Sequence, residues 1–205
     1  MRCWLAALWL GLAPGLAMAG AQRYEALADS VRAQLQRAVA DRAVPRLAFA
    51  NPMEGQLWLK AMSQRMARFV ADPFEREELL ATVHYEASRA GLDPELVLGL
   101  IEVESRFRKY AVSRAGARGY MQVMPFWREV IGERDHNLFS LRVNLRYGCI
   151  ILRHYLDMEK GNLFRALGRY NGSLGRPEYP TLVHTAWKAR WQLEATPSAA
   201  RVARN

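Results

Sequence analysis

The feature of this sequence that most constrains its fold is the apolar run PELVLGLIEVES at residues 94–105. Asp93 is a good N-cap and Pro94 suits the first helical position, so the pattern predicts a helix that begins here. Because the run is apolar on nearly every side, we expect this helix to be buried. A buried carboxylate costs several kcal/mol unless it is paired or keeps its proton, yet this helix ends in Glu-Val-Glu-Ser. A carboxylic acid at the end of a core helix, before a Gly- and Ala-rich loop at 109–119, is one way to build a general acid.

Two glutamates, Glu102 and Glu104, compete for this role. Residues two apart on a helix point about 200° apart, so only one of the two can face a cleft. Glu104 has two reasons for a raised pKa, namely its apolar neighbours and the negative end of the helix dipole. The helical geometry alone does not decide between them.

Three motifs in a fixed order give the chain a recognisable identity. They are Glu104-Ser105-x-Phe107, then the string GARGYMQVMP at 116–125, then ALGRYNG at 166–172. Together they resemble the soluble lytic transglycosylase family over roughly residues 80–190. One position departs from the family, which usually has Leu where this chain has Tyr120. We expect that larger ring to be able to stack on a sugar.

The resemblance implies a reaction as well as a fold. The family pattern places the acid immediately before Ser105, which selects Glu104. In that family the glutamate protonates the oxygen between N-acetylmuramic acid and N-acetylglucosamine, and the substrate's acetamido group stabilises the cationic centre. The same glutamate then takes the proton of the muramoyl C6 hydroxyl, which closes a 1,6-anhydro ring without water. No metal or organic cofactor is implied, and the sequence offers no ligand cluster for a metal.

Matching to the motifs also assigns supporting roles. The resemblance implies that Tyr170 approaches the catalytic carboxyl group and that Ser113 lies near the substrate's acetamido group. The residues expected to line the cleft or to fix its loops are Met121, Gln122 and Asn171, and those expected to shape the backbone are Ser105, Gly116 and Gly119.

The chain divides into four segments. Residues 1–19 read as a secretory signal, with Arg2, an apolar stretch and the small-x-small site Ala-Met-Ala at 17–19. Residues 20–72 are predicted to form an N-terminal helical extension, 73–194 an SLT-type lysozyme-like catalytic domain, and 195–205 a disordered tail. Export, and with the resemblance a periplasmic location, follow from this division.

Helical periodicity runs along the whole chain and no strand-period pattern exceeds a few residues, so the predicted class is all-α. The main helices are predicted at 22–44, 57–70, 73–90, 140–158 and 180–193. Removal of the signal leaves Cys149 as the one cysteine, which excludes an intrachain disulfide in the mature protein. It lies in an apolar helix and is expected to be buried.

The formal net charge of +9 indicates anionic surroundings. The arginines are scattered along every helix and do not cluster with aromatic residues, which argues against nucleic acid as a partner. We expect peptidoglycan strands as the substrate, with weak, salt-sensitive attraction to anionic wall polymers and membrane surfaces.

Two other functions remain open at this stage. A goose-type lysozyme-like hydrolase would share much of the fold but needs an aspartate to position water, and none is evident. A non-catalytic glycan-binding protein, or an accessory of a secretion machine that docks through residues 20–72, would keep the cleft. How the enzyme acts along a strand, its stem-peptide preference and its oligomeric state are not encoded in the motifs.

Overall fold

The computed structural model describes residues 22–40, 47, 49 and 51–193 of the chain. Its regular elements there are helices: α1 (Asp29–Ala40), α2 (Pro52–Met66), α3 (Pro73–Arg89), α4 (Pro94–Ser105), α5 (Phe126–Ile131), α6 (Leu141–Met158), α7 (Leu163–Asn171), α8 (Glu178–Ala186) and a π-helical segment (Trp187–Trp191). In these ranges β pairing is confined to isolated bridges in the loop after α4. The all-α prediction is confirmed, while the predicted signal at 1–19 and the predicted tail at 195–205 lie outside the described residues.

Asx-Pro pairs start three of the helices. The side chains of Asn51, Asp72 and Asp93 each accept a hydrogen bond from a backbone N–H of the first turn, and proline follows each of them. The predicted start of α4 is therefore confirmed. The start of α2 is not at residue 57 as predicted, because Asn51 and Pro52 form a cap and first turn and do not break the chain.

The predicted helix at 22–44 is also wrong at its beginning. Residues 22–28 have no regular secondary structure, and α1 begins only at Asp29. The physical reason is long-range contact, since Gln22 and Glu25 bond to residues more than a hundred positions further along the chain.

Helix α4 is the central element of the core. It packs against α3 on one side and against α8 and the π-helical segment on the other. The closest approach is at Gly99, where an added Cβ would lie 2.7 Å from the backbone nitrogen of Trp187. Among the described residues no helix is both long and apolar enough to span a bilayer.

A buried charge cluster fixes α1 to the rest of the fold. The carboxylate of Glu86 lies 3.2 Å from Arg146 and 2.9 Å from Arg89. The two arginines also donate to the carbonyl oxygens at the end of α1, Arg146 to Val39 at 3.1 Å and Arg89 to Ala38 at 3.0 Å. Because both arginines bond to Glu86 and also to the end of α1, charge-assisted bonds tie α1 to α3 and α6.

Asn144 on α6 holds the loop that follows α4. Its side chain is fully buried and accepts from the N–H of Met121 at 2.8 Å. Its amide donates to the carbonyl oxygens of Arg118 and Leu138, both at 2.8 Å. One amide thus satisfies three backbone groups that would otherwise be buried without partners.

Replacing Asn144 by Ala is expected to lower the free energy of unfolding by roughly 2–3 kcal/mol, because buried backbone groups lose their partners. Urea unfolding followed by circular dichroism measures this. Asn137→Ala is the matched control, since Asn137 is exposed and caps only the N–H of Phe139. A loss at Asn144 no larger than at Asn137 would contradict the assignment.

Candidate active site

Glu104 lies in the last turn of α4 and is almost fully buried. Its Oε1 accepts a hydrogen bond from the Tyr179 hydroxyl at 2.5 Å. Its Oε2 is also buried and has no hydrogen-bond partner among the described residues. Burial raises the pKa of Glu104 to about 8, and the bond from Tyr179 opposes that rise. The group therefore carries its proton at neutral pH.

Glu102 occupies a different environment on the same helix. Its carboxylate lies 2.7 Å from Arg190 Nε and accepts from the indole N–H of Trp191 at 2.8 Å. Arg68 approaches it at 3.8 Å. These bonds tie α4 to the π-helical segment, so Glu102 serves to hold structure while Glu104 faces the other way.

The sequence reasoning missed Tyr179. It stands 75 residues after Glu104, near the start of α8, and no local spacing links the two. Burial, together with the neighbouring Glu104, raises the pKa of Tyr179 well above its usual value, so the phenol keeps its proton and donates. Only the packing of α8 against α4 brings these groups together.

Tyr170 lies beside this pair but bonds elsewhere. Its buried hydroxyl donates to the carbonyl oxygen of Met121 at 2.7 Å. Burial and then the nearby Glu104 raise the pKa of Tyr170, which places the ring next to the acid. The hydrogen bond to the carboxyl group comes from Tyr179, and the role of Tyr170 beside the acid stays a prediction. Asn171 is the last residue of α7 and is buried.

The side chain of Gln122 points into its own loop. The residue has a left-handed backbone with φ 48°, and its amide donates to the carbonyl oxygens of Ala111 at 3.1 Å and Gly119 at 2.9 Å. The expectation that this side chain contacts a sugar is therefore not met here, because its donors are already used. Ser113 likewise accepts from the N–H of Ala117 at 3.1 Å and shapes the loop.

Tyr120 is 2% exposed, so the expectation that it stacks on a sugar ring is wrong for this structure. Its ring is packed in the core, as its apolar body favours. Ser105 donates to the carbonyl oxygen of Ile101 at 3.2 Å. Gly116 and Gly119 have φ of 86° and 75°, and a Cβ at Gly119 would lie 2.5 Å from Asn144.

The site is thus an acid, two buried tyrosines and a tightly bonded loop. Within the described ranges no group of His, Cys, Asp and Glu side chains is arranged to hold a metal ion. Cys149 is buried, and burial raises the pKa of its thiol, so it remains protonated.

Comparison with known proteins shows which domain family and which relatives this chain is similar to. The Transglycosylase SLT domain matches residues 81–180. The chain is similar to Membrane-bound lytic murein transglycosylase C of Actinobacillus pleuropneumoniae serotype 5b (strain L20), 52% identical over 48 residues, which are 23% of this chain and 13% of that protein. It is 45% identical over 60 residues to the protein of that name from Haemophilus ducreyi, covering 28% of this chain and 16% of the relative.

A further relative is the Transglycosylase of Enterobacteria phage PRD1, 31% identical over 98 residues, which are 48% of this chain and 36% of that protein. The matched stretches span 13% and 36% of the bacterial strain L20 and phage proteins, so the likeness concerns one region. The match to the SLT domain, at residues 81–180, includes Glu104, Tyr170 and Tyr179. Residues 81–180 of this chain match the transglycosylase SLT domain family.

Proposed function

We propose that this protein is a peptidoglycan lytic transglycosylase that cleaves the β-1,4 bond between N-acetylmuramic acid and N-acetylglucosamine without water. The observation that carries the proposal is Glu104, a buried carboxyl group that is protonated at neutral pH and held by Tyr179. The names of the similar proteins, murein transglycosylase and transglycosylase, support the same reaction class.

Glu104 first acts as the general acid. Its proton passes from Oε2 to the glycosidic oxygen, and the bond from that oxygen to the muramoyl C1 breaks. The positive charge that develops at C1 is stabilised by the acetamido oxygen of the same sugar. The carboxylate left behind keeps the hydrogen bond from Tyr179, which stabilises its charge.

Glu104 then acts as the base. It takes the proton of the muramoyl C6 hydroxyl, O6 bonds to C1, and the 1,6-anhydro ring closes. The proton returns to the carboxyl group, so the enzyme is restored and no water is consumed. A buried carboxylate with a raised pKa suits this second step, because its affinity for the proton is high.

A hydrolase of the usual kind needs a second carboxylate. In the described part of the chain, burial and the Tyr179 bond account for the pKa of Glu104, and no carboxylate contributes to it. Glu102 is held by Arg190 and Trp191 and is turned away. These facts favour a single-acid mechanism over a goose-type hydrolase.

The proposal includes an exported, periplasmic protein that acts on peptidoglycan strands, in keeping with the sequence of residues 1–19 and the net charge of +9. A partner that docks on the N-terminal extension stays a prediction. The reaction implied for the family uses no metal or organic cofactor.

Replacing Glu104 by Gln is expected to lower the release of anhydromuropeptides by about a thousandfold, since the amide can neither donate nor recover the proton. Mass spectrometry of digested peptidoglycan measures this. Glu102→Gln is the matched control on the same helix and should retain activity within about tenfold. Reducing-end products from the unmodified protein would indicate a hydrolase, and absence of any product would contradict enzymatic function.

Replacing Tyr179 by Phe removes the one hydrogen bond to Glu104. Because that bond lowers the pKa of Glu104, its loss should raise the pKa further and slow the turnover, kcat, by about ten- to a hundredfold with little change in KM. The alkaline limb of the pH profile of kcat should therefore move to higher pH. Tyr110→Phe, which changes an exposed ring, is the control and should alter neither kcat nor its pH dependence. If the alkaline limb of kcat does not shift in Tyr179→Phe, the proposed role of Tyr179 is contradicted.

Burial of Glu104 also makes stability depend on pH. The folded state binds the proton with a pKa of about 8 and the unfolded state with 4.5, so the folded state holds more protons between these values. Stability from this group is full below pH 4.5 and falls as pH rises towards 8. Relative to Glu104→Gln, the unmodified protein should lose on the order of 3 kcal/mol across that range. Equal pH dependence of the two melting curves would contradict this.

A further inference from the structure

Residues 22–28 run in extended form past the wall of the candidate site before α1 begins. Gln22 is 3% exposed although it lies outside any helix. Its Oε1 accepts from the N–H of Met124 and from the indole N–H of Trp127, both at 3.2 Å. Its Nε2 donates to the carbonyl oxygen of Gln122 at 3.3 Å. The carboxamide therefore uses both its acceptor and its donor on the loop that follows the acid.

Tyr170 is the side chain that lies between Gln22 and Glu104. Tyr170 is hydrogen-bonded by the Gln22 side chain and also feels the charge of Glu104. The hydroxyl of Tyr170 donates to Met121, in the same loop that Gln22 contacts. Gln22 thus occupies the wall formed by 121–124 and Tyr170, beside the group that performs the proposed chemistry.

A second anchor lies three residues further on. Both carboxylate oxygens of Glu25 accept from Arg169, at 2.9 and 3.1 Å, and Arg169 directly precedes Tyr170. The ring of Tyr24 meets that of Phe126 edge-on at 5.9 Å. Beside Glu25 is a cavity of about 270 Å³ whose lining includes three arginines, namely Arg23, Arg169 and Arg176.

Apart from the buried Gln22 side chain, the contacts of the segment are weak compared with those of α1. Residues 22–28 have no regular secondary structure, and Glu25 and Tyr24 are exposed. Exposed ion pairs and single hydrogen bonds each add little net stability. The end of α1, in contrast, is fixed by the buried arginines around Glu86. The segment can therefore leave the wall while α1 stays in place.

We propose that residues 22–28 form an autoinhibitory strap that a glycan strand must displace from the wall formed by 121–124 and Tyr170. The carboxamide of Gln22 presents to the wall a carbonyl acceptor and an N–H donor, the same pair that an acetamido group presents. The carboxylate of Glu25 presents to Arg169 what the carboxylates of a muropeptide present. The identity of the displacing ligand rests on the function proposed above.

When the strap and the ligand compete for one site, the apparent affinity for the ligand equals the intrinsic affinity multiplied by the fraction of molecules in which the strap is open. Loosening the strap should therefore tighten ligand binding and raise kcat/KM without creating any new contact to the ligand. This direction distinguishes a strap from a residue that binds the ligand, because loss of a ligand-binding residue weakens binding.

The test uses the full chain and two strap variants. Gln22→Ala/Glu25→Ala removes both anchors, while Glu25→Arg repels Arg169 from an exposed position and leaves the core untouched. The control is Gln64→Ala/Glu77→Ala, which changes the same residue types at exposed positions on α2 and α3. Binding of N-acetylated chitooligosaccharide is measured by calorimetry, and anhydromuropeptide release is measured in parallel.

Both strap variants are expected to bind the oligosaccharide about three- to tenfold more tightly than the control, with a matching rise in kcat/KM. The strap proposal is overturned if Glu25→Arg binds the oligosaccharide no more tightly than the control while its melting temperature is like that of the control. It is also overturned if no variant binds the oligosaccharide. Tighter binding without anhydro products from any variant supports the strap and refutes the proposed reaction.

Discussion

The hydrogen bond between Tyr179 and Glu104, made inside an apolar core, is the interaction on which the rest of this structure depends. It requires α4 to end inside the protein and α8 to begin beside it. The two helices pack against each other, and Glu102 with Arg190 and Trp191 fastens α4 to the π-helical segment that follows α8. Burial makes the carboxyl group hold its proton, and the tyrosine limits how far that effect goes. The general acid proposed here therefore needs no second carboxylate to hold its proton.

The loop after α4 shows how polar side chains can serve a site without touching its ligand. Gln122, Ser113 and Asn144 spend their hydrogen bonds on backbone groups of residues 111–121. The backbone is left-handed at Gln122, with φ 48°, a conformation that is costly for a residue other than glycine, and these bonds help to hold it. The loop therefore presents backbone N–H and C=O groups in fixed positions, and Gln22 contacts groups of this kind.

Sequence reasoning succeeded where the cause is local. The cap at Asp93, the apolar run of α4 and the opposite directions of Glu102 and Glu104 all follow from helix geometry and residue type. It failed where partners come from distant parts of the chain. Tyr179 has no local relation to Glu104, and the periodic apolar residues near position 24 suggested a helix where long-range bonds hold an extended segment. Tyr120 looked available to a sugar because nothing in its neighbours revealed that its ring is packed inside.

The close approach at Gly99 has a consequence for how substitutions are tolerated. A methyl group there would meet the backbone of Trp187, which has no rotamer to move away. Glu104 lies five residues later on the same helix, about 7.5 Å along its axis, and Tyr179 lies on the helix that leads into Trp187. Widening the crossing would lengthen the bond between them and alter the proton affinity of the acid. In a saturation library selected for turnover, position 99 should therefore behave like a catalytic position, although its residue has no side chain and touches no substrate.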